Sequence, residues 1–308
     1  MELRKDYILD RWVIINPKRG QRPNQFVAEK NVDVGQCFFC PGNESMTPAE
    51  IGRLGKDKWQ MRWFPNKFPA VNLEGNYNIK TDNTFFTFGD AIGYHEIIAE
   101  TPDHQKQIFD LDAGQLVQLF KVYQQRINEL KKKEGIKYVS VFKNHGPDAG
   151  TSIVHSHTQI IAHNLVPASI MERLEAVKKF SHCPYCDIIN IEKNSFRRCF
   201  ENDSFVAFTP YASRFNYEIH LYPKQHITDF CSLNEEQSRK LAEIFLLIMQ
   251  KIKVFGSFNY FLNNYDGLHF NIEFCPRIAK WAGFEFATGT IINTVSPEEA
   301  AKFCRGEE

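Results

Sequence analysis

The chain has 308 residues, of which 43% are hydrophobic and 24% charged, a composition that is typical of a folded protein and excludes a disordered one. Lys plus Arg and Asp plus Glu both number 37, so the net charge is zero and non-specific binding to nucleic acid is not expected. No apolar run reaches the roughly 18–20 residues of a membrane span, and the charged N-terminus lacks a signal-peptide core, so we expect a cytoplasmic protein without a membrane partner.

The first half of the chain predicts a series of elements that ends in a strand with alternate polar residues. It begins with the turn Cys37-Phe-Phe-Cys40. Apolar residues at steps of three and four predict an amphipathic helix over 116–130, with Asp112 as its N-cap. A β-rich segment over 138–144 follows. The sequence His155-Ser-His157-Thr-Gln159 then predicts a strand whose three polar side chains share one face.

The second half repeats this order. The turn Cys183-Pro-Tyr-Cys186 comes first, and apolar spacing predicts a helix over 241–252. Ser232-Leu-Asn-Glu235 is a capping-box pattern at the start of that helix. A β-rich segment over 258–264 precedes His269-Phe-Asn271-Ile-Glu273, the counterpart of the polar strand in the first half. We therefore predict an α+β fold that arose by internal duplication.

The duplicated pattern divides the chain into two predicted domains. Pro167 and a charged helical stretch separate the two repeats, so we place the boundary within 166–182. The N-terminal domain covers 1–170 and the C-terminal domain covers 171–308. Each is predicted to be an antiparallel sheet with packed helices.

Each half also supplies two Cys and two His in the same order. Two thiolates and two imidazoles make a closed tetrahedral zinc site, and a Cys-x-x-Cys turn lets both sulfurs reach one ion. The alternative is that the Cys pairs are metal-free or redox-active. We predict two zinc ions per chain, and the ligand types leave iron open at the second site. The predicted ligands are Cys37, Cys40, His104 and His155 in the first set and Cys183, Cys186, His226 and His269 in the second.

The polar strand of the first half carries the candidate catalytic residues. If His155 binds metal, His157 is left free on the same face, and a neutral His is a competent nucleophile toward phosphorus. Gln159 could hydrogen-bond a phosphoryl oxygen without competing for the proton. Asn271 stands at the matching position of the second half and cannot be a nucleophile, so only the first half is predicted to be catalytic.

Groups suited to binding a phosphorylated ligand surround this strand. The Gly-rich loop over 146–152 could present backbone N–H groups and hydroxyls to an anion, although it is not a Walker loop. Arg19 and Arg22 could neutralise a diphosphate or form an exposed basic turn. Phe38, Phe64 and Phe68 could stack on a base or fill the core, and Phe38 is kept as a candidate binding residue.

Together these motifs resemble the galactose-1-phosphate uridylyltransferase family of the histidine-triad superfamily. The resemblance spans nearly the whole chain in the expected order. The segments that carry it are Asp10-Arg-Trp-Val-Ile-Ile-Asn-Pro-Lys-Arg-Gly-Gln-Arg-Pro23, Cys37-Phe-Phe-Cys-Pro-Gly-Asn-Glu44, Pro65-Asn-Lys-Phe-Pro69, Gly93-Tyr-His-Glu96, Phe142-Lys-Asn-His-Gly146, His155-Ser-His-Thr-Gln-Ile-Ile161, Cys183-Pro-Tyr-Cys-Asp187, Pro223-Lys-Gln-His226, Gly283-Phe-Glu-Phe-Ala-Thr-Gly289 and Ile292-Asn293.

The resemblance implies two tandem histidine-triad-like domains and an enzyme that exchanges UMP between UDP-glucose and galactose 1-phosphate in galactose metabolism. It implies a covalent uridylyl-His157 in a ping-pong reaction, with Gln159 on the phosphate. The positions that it implies for nucleotide binding are Arg19, Arg22, Asn66, Asn144 and Ser152. The position that it implies for sugar binding is Glu285. The partners are then a nucleotide sugar and a hexose 1-phosphate. The resemblance also implies a homodimer whose sites lie at the subunit interface.

One departure keeps an alternative open. Ser156 replaces the Pro of the family's His-Pro-His-x-Gln, a form shared with a group that resembles ADP-glucose phosphorylases. The alternative is therefore a phosphorylase or adenylyltransferase that uses the same His157 on ADP-glucose. A non-catalytic zinc-binding module is the third reading, and His157 and Gln159 beside a phosphate-like loop argue against it.

Overall fold

The computed structural model describes residues 2–9, 12–15 and 37–307. In chain order, the strands within these residues are β1 (Glu2–Lys5), β2 (Trp12–Ile15), β3 (Gly52–Leu54), β4 (Met61–Pro65), β5 (Lys80–Asp82), β6 (Phe86–Phe88), β7 (Gly93–Ala99), β8 (Tyr138–His145), β9 (His157–His163), β10 (Arg198–Glu201), β11 (Phe205–Phe208), β12 (Ile219–Pro223), β13 (Phe258–Asn263), β14 (Asn271–Pro276) and β15 (Ile291–Asn293). The α-helices are α1 (Ala113–Lys131), α2 (Ala168–Val177), α3 (Pro184–Glu192), α4 (Glu235–Ile252), α5 (Gly283–Thr288) and α6 (Pro297–Arg305). None of the helices in this described part is both long and apolar enough to cross a membrane.

One large sheet joins the two halves of the chain. Its order from edge to edge is β10-β11-β12-β14-β13-β8-β9-β7-β4-β3, and its neighbours pair antiparallel. Each half contributes five strands, and from the outer edge inward both halves follow the same chain order of first, second, third, fifth and fourth. The fourth strands, β8 and β13, meet at the centre. This arrangement confirms the predicted α+β class with a large antiparallel sheet, while the boundary at 170/171 stays a prediction.

Two smaller sheets accompany the large one. The hairpin of β5 and β6 forms the first. In the second, β2 lies between β1 and β15, so the start of the chain pairs with a strand close to its end.

The two long helices begin as capping chemistry dictates, but one start differs from the prediction. Asp112 caps α1 as predicted, because its side chain accepts a hydrogen bond from the Gln115 N–H. The predicted capping box that starts at Ser232 is wrong. Ser232 ends a 3₁₀ helix (Phe230–Ser232) and donates to the Asp229 carbonyl, so the cap of α4 moves to Asn234, which forms its box with Gln237.

The main core lies between the large sheet and the pair α1 and α4. Phe120 of α1 and Phe245 of α4 are fully buried and meet with ring centroids 5.4 Å apart. Phe245 also packs edge-on against Tyr260 of β13. Because side chains alternate along a strand, Ile160 and Ala162 of β9 enter this core while His157 and Gln159 point to the opposite face. The helices therefore support one face of the sheet and leave the polar residues on the other.

A buried ion network occupies the second half, at the place that corresponds to Gln159 in the first. Arg214 Nη2 lies 3.0 Å from Glu218 Oε1 and 2.7 Å from Glu273 Oε2, and Arg173 Nη2 lies 2.7 Å from Glu273 Oε1. His220 Nε2 is 3.0 Å from Glu218 Oε1. The two carboxylates and His220 are close enough to hold a metal ion. Two guanidinium groups already neutralise the two carboxylates, so the network is electrically balanced without a metal ion.

Acid should loosen this network. Burial raises the pKa of Glu218, but the charge of Arg214 and the hydrogen bond from His220 outweigh burial and lower the pKa to about 2. A depressed folded-state pKa stabilises the fold above the ordinary value of 4.5 and loses that contribution as pH falls toward 2. As the pH falls through this window, we expect the free energy of unfolding to fall less steeply in Glu218→Gln than in the wild type. The two slopes should differ by the contribution of about one bound proton. Denaturant titrations between pH 5 and 2.5 measure the slope.

The matched control is Glu235→Gln, at an exposed pair with Arg239 on α4. It should leave the slope unchanged. An unchanged slope in Glu218→Gln as well would contradict the assignment of this carboxylate as ionised in the fold.

Candidate active site and metal centres

The first predicted set of metal ligands converges in the structure. Cys40 Sγ lies 3.3 Å from His104 Nδ1 and 3.6 Å from His155 Nδ1, and Cys37 Sγ lies 3.7 Å from His155 Nδ1. Tetrahedral coordination with Zn–S near 2.3 Å and Zn–N near 2.1 Å separates sulfur from nitrogen by about 3.6 Å. His155 Nε2 is 2.7 Å from the Thr101 carbonyl, to which it donates, so Nδ1 is left as the ligand. The donor set therefore fits a four-coordinate metal ion.

The second set repeats this geometry. Cys186 Sγ lies 3.5 Å from His226 Nδ1 and 3.7 Å from His269 Nδ1, and Cys183 Sγ lies 3.9 Å from His269 Nδ1. His269 Nε2 donates to the Pro223 carbonyl at 3.0 Å, as His155 does to Thr101. In each set, all four ligand atoms lie within 4.8 Å of one another. Both groups could hold a metal ion, and the same orienting bond aims the buried His of each.

The candidate nucleophile, His157, is buried at the start of β9. Its Nδ1 lies 2.8 Å from the carbonyl oxygen of His155, to which Nδ1–H donates. This bond leaves the Nε2 lone pair free for attack. Burial first, and then the positive charge of Lys143, lower the pKa of His157 to about 4. The imidazole is therefore neutral and nucleophilic at neutral pH.

A buried ion pair supports the backbone of His157 from the helix side of the sheet. Lys143 Nζ lies 2.8 Å from Glu100 Oε2, 3.0 Å from the Ser156 hydroxyl and 2.8 Å from the carbonyl oxygen of His157 itself. Glu100 accepts from the hydroxyls of Ser156 and Thr158, each at 2.5 Å. Both charges are essentially without solvent contact. The residues on either side of His157 are thus bonded to one carboxylate.

Gln159 joins a second polar group on the face that carries His157. Its Oε1 lies 3.0 Å from His95 Nε2, and the amide nitrogen of Asn66 lies 3.1 Å from the same His95 atom. His95 comes from β7, whose Ile97 pairs with Gln159 in the sheet register. The structure thereby brings together Asn66 and Gln159, two residues that the sequence singled out separately.

A cavity of about 160 Å³ adjoins His157 and includes part of the Gly-rich loop. Asn144, Gly146 and Thr151 line it together with His157. The amide oxygen of Asn144 accepts from Asn259 at 2.8 Å, which ties its orientation to the second half. Ser152 belongs to the same loop but is exposed and is not part of this lining.

Of the remaining predicted binding residues, Phe38 and Glu285 do not line the cavity. Arg19 and Arg22 fall outside the residues that the structure describes. Phe38 is 46% exposed, whereas its neighbour Phe39 is buried with its ring edge-on to His157, at a centroid distance of 5.4 Å. Glu285 is half-buried on α5 and accepts from the Ala282 N–H at 2.9 Å.

Sequence reasoning missed Phe39, His95, Glu100 and Lys143 as parts of this site. Phe39 sits inside the Cys-x-x-Cys turn, where the choice between two adjacent Phe depends on the turn geometry. His95 and Lys143 lie within motifs that carry the family resemblance, and that was the available signal. A Lys in a β-rich segment and a Glu 43 residues before it give no sign of being paired until the sheet is formed.

The buried pair makes a stability prediction. Replacing Lys143 by Met leaves the Glu100 carboxylate buried without its counter-charge, so we expect a loss of about 3–5 kcal/mol in the free energy of unfolding. The double variant Lys143→Met with Glu100→Gln should lose less, because it leaves no uncompensated charge. Denaturant unfolding of the metal-loaded protein measures both.

Lys131→Met is the control, since its pair with Asp229 is partly exposed at 3.4 Å and should contribute at most about 1 kcal/mol. Equal losses in the free energy of unfolding for Lys143→Met and Lys131→Met would contradict the prediction that the buried pair contributes more to stability than the partly exposed one.

Comparisons with known proteins identify the family of the chain. A family model described as galactose-1-phosphate uridyl transferase, N-terminal domain, matches residues 2–167, and one described as a domain of unknown function, DUF4921, matches 110–303. An ADP-glucose phosphorylase from Arabidopsis thaliana is 31% identical, over 99% of the chain and 92% of that protein. A galactose-1-phosphate uridylyltransferase from Thermotoga maritima is 27% identical, over 100% and 99%.

Among solved structures, an Arabidopsis thaliana ADP-glucose phosphorylase with bound ADP-glucose aligns with a TM-score of 0.84 at 29% identity. The alignment covers 99% of this chain and 98% of that one. The first family model covers more than half of the chain, and the relatives align over almost all of it. The chain therefore belongs to the galactose-1-phosphate uridyl transferase family.

Proposed function

We propose that this protein is a nucleotidyltransferase that exchanges UMP between UDP-glucose and galactose 1-phosphate through a covalent uridylyl-His157. The observation that carries the proposal is the neutral, buried His157, whose Nδ1–H is bonded to the His155 carbonyl and whose Nε2 is free. The galactose-1-phosphate uridylyltransferase relatives support the choice of substrates.

The reaction has two balanced steps. In the first, His157 Nε2 attacks the α-phosphorus of UDP-glucose, an N–P bond forms, and the P–O bond to glucose 1-phosphate breaks. In the second, a phosphate oxygen of galactose 1-phosphate attacks the same phosphorus, and the N–P bond breaks to restore neutral His157. Splitting one displacement into two lets the same residue serve both sugar phosphates in turn.

The other predicted residues bind and orient the nucleotide sugar in this proposal. Gln159 donates to a phosphoryl oxygen, Asn66 and Asn144 bind the nucleotide, and Ser152 adds a hydroxyl from the Gly-rich loop. Arg19 and Arg22 neutralise the diphosphate, Phe38 stacks on the base, and Glu285 binds the sugar. Transition-state charge on the phosphoryl group is what such donors stabilise.

We further propose that both Cys₂His₂ groups hold zinc, with iron as the alternative at the second. A zinc ion there supplies a structural tether and takes no part in bond making. The metal-bound His155 then anchors the carbonyl that orients His157. We also propose a division at 170/171 into a catalytic and a non-catalytic domain and a cytoplasmic location.

A homodimer completes the proposed site. Glu285 is half-buried on α5 and does not line the cavity beside His157 of its own chain. A sugar-binding role for Glu285 is therefore best met if α5 serves the site of a second copy. This placement is the reason for proposing that the subunit interface carries the sites.

The competing function is that of an ADP-glucose phosphorylase, which would use the same His157 with inorganic phosphate as the acceptor. Two observations favour keeping it. The relative with 31% identity is an ADP-glucose phosphorylase, and Ser156 occupies the position between His155 and His157.

A paired exchange assay separates the two functions. One reaction contains UDP-glucose and galactose 1-phosphate, and the other contains ADP-glucose and phosphate. We expect UDP-galactose and glucose 1-phosphate from the first reaction only, measured by chromatography. ADP and glucose 1-phosphate from the second reaction alone would overturn the uridylyltransferase assignment in favour of the phosphorylase.

His157→Ala should abolish exchange in whichever reaction proceeds, because no nucleotidyl-His can form, and should keep fold and metal content. The control is His163→Ala on the same strand, which is expected to retain activity. Turnover by His157→Ala would exclude the covalent mechanism.

Metal content gives a separate prediction. Elemental analysis of the purified protein should find about two metal ions per chain. Cys40→Ser should lose about one of them and unfold at a lower temperature, because its thiolate closes the first group. Cys231→Ser, at a thiol outside both groups, should lose none. A folded, active protein without metal would refute the structural role of zinc.

A further inference from the structure

His95 lies at the junction of two proposed substrate-binding residues and belongs to neither metal group. It is buried, with 9% of its surface exposed. Its Nδ1 lies 3.1 Å from the backbone nitrogen of Ala70, and its Nε2 lies 3.0 Å from Gln159 Oε1 and 3.1 Å from Asn66 Nδ2. These contacts use both ring nitrogens, so the position of the ring proton determines what the amides can do.

The backbone settles the protonation of the ring. The Ala70 N–H can only donate, so His95 Nδ1 must accept and cannot carry a hydrogen. A neutral imidazole with an unprotonated Nδ1 carries its hydrogen on Nε2. Burial lowers the pKa of His95 below its ordinary value, against the opposing effect of the Gln159 hydrogen bond, which agrees with the neutral ring.

The position of that hydrogen orients the amide of Gln159. Because His95 Nε2–H donates, the Gln159 atom that faces it must be the acceptor Oε1. The Gln159 NH₂ group is then turned away from His95, and none of the described residues accepts its hydrogens. In the flipped orientation Gln159 would present an oxygen to a phosphoryl oxygen, and the two would repel.

Asn66 is oriented by a backbone donor in the same way. Its Oδ1 accepts from the Phe68 N–H at 2.9 Å, so the nitrogen is the atom that faces His95 Nε2–H. Two donors 3.1 Å apart do not form a hydrogen bond. The Asn66 amide hydrogens therefore also lack an acceptor among the described residues and are available to a ligand.

We propose that His95 is a positioning residue that presents the amide nitrogen of Gln159 to a phosphoryl oxygen of the bound nucleotide sugar. The Ala70 N–H fixes the tautomer of His95, and that tautomer fixes the orientation of the Gln159 amide. This inference rests on the proposed nucleotidyl transfer and deepens it.

Two substitutions separate positioning from simple anchoring of the chain. His95→Asn can keep an acceptor near the Nδ1 position for the Ala70 N–H but is too short to reach Gln159. His95→Gln can place an NH₂ group near the Nε2 position for Gln159 but loses the acceptor for Ala70. Positioning predicts a lower kcat for His95→Asn than for His95→Gln, and anchoring predicts the reverse order.

We expect His95→Asn to lower kcat about 10- to 100-fold with KM within about threefold, less than the loss of about 10²–10³ for deleting a transition-state donor. The kcat of His95→Gln should be about tenfold higher than that of His95→Asn. Turnover uses the nucleotide sugar that the wild-type protein accepts, and thermal melts with metal analysis establish that both variants fold. A kcat for His95→Gln equal to or below that of His95→Asn would overturn the proposal.

A double-mutant cycle with Gln159→Ala provides the second measurement. If His95 acts through Gln159, His95→Asn should change kcat less than about twofold in the Gln159→Ala background. Multiplicative losses would show that His95 acts independently and would refute the inference. Failure of the proposed function is distinct, because the wild-type protein would then form no nucleotidyl-His157 from UDP-glucose or ADP-glucose.

Discussion

The hydrogen bond from His157 Nδ1 to the carbonyl of His155 is the interaction on which the site depends. His155 directs Nδ1 at the first Cys₂His₂ group and donates from Nε2 to the Thr101 carbonyl. Contacts at both ring nitrogens therefore fix the side chain and, through it, the position of the His155 backbone. That held carbonyl determines the tautomer and the direction of the His157 ring. The proposed metal ligand and the proposed nucleophile, two residues apart, are therefore parts of one geometric unit, in which the His155 carbonyl orients the His157 ring.

The region behind this unit is unusually polar for the interior of a sheet. Glu100 and Lys143 are buried opposite charges, which are costly to desolvate and are tolerated where further hydrogen bonds satisfy them. Here the hydroxyls of Ser156 and Thr158 and the carbonyl of His157 supply those bonds. Tyr123 of α1 and Tyr260 of β13 extend the network through Thr158. The backbone around His157 is thus held by groups from β8, α1 and β13 and by Glu100, which follows β7.

Local and periodic features of the fold were predictable from the sequence. The helix over 116–130, the cap at Asp112, both β-rich segments and both Cys₂His₂ groups follow from spacing alone, because each depends on repeated residue types. The start of α4 was not predictable, since a preceding 3₁₀ turn uses Ser232 first. The contacts of His95, Glu100 and Lys143 depend on the register between distant strands, which no local pattern specifies.

The central pairing of β8 with β13 has a consequence for how the protein folds. Val141 is paired with Leu262, 121 residues further along the chain, so the seam between the halves closes only after a long loop has been ordered. Such non-local pairing slows folding and ties the two halves into one cooperative transition. If either half is made alone, the innermost strand becomes an open edge that can template association with another copy.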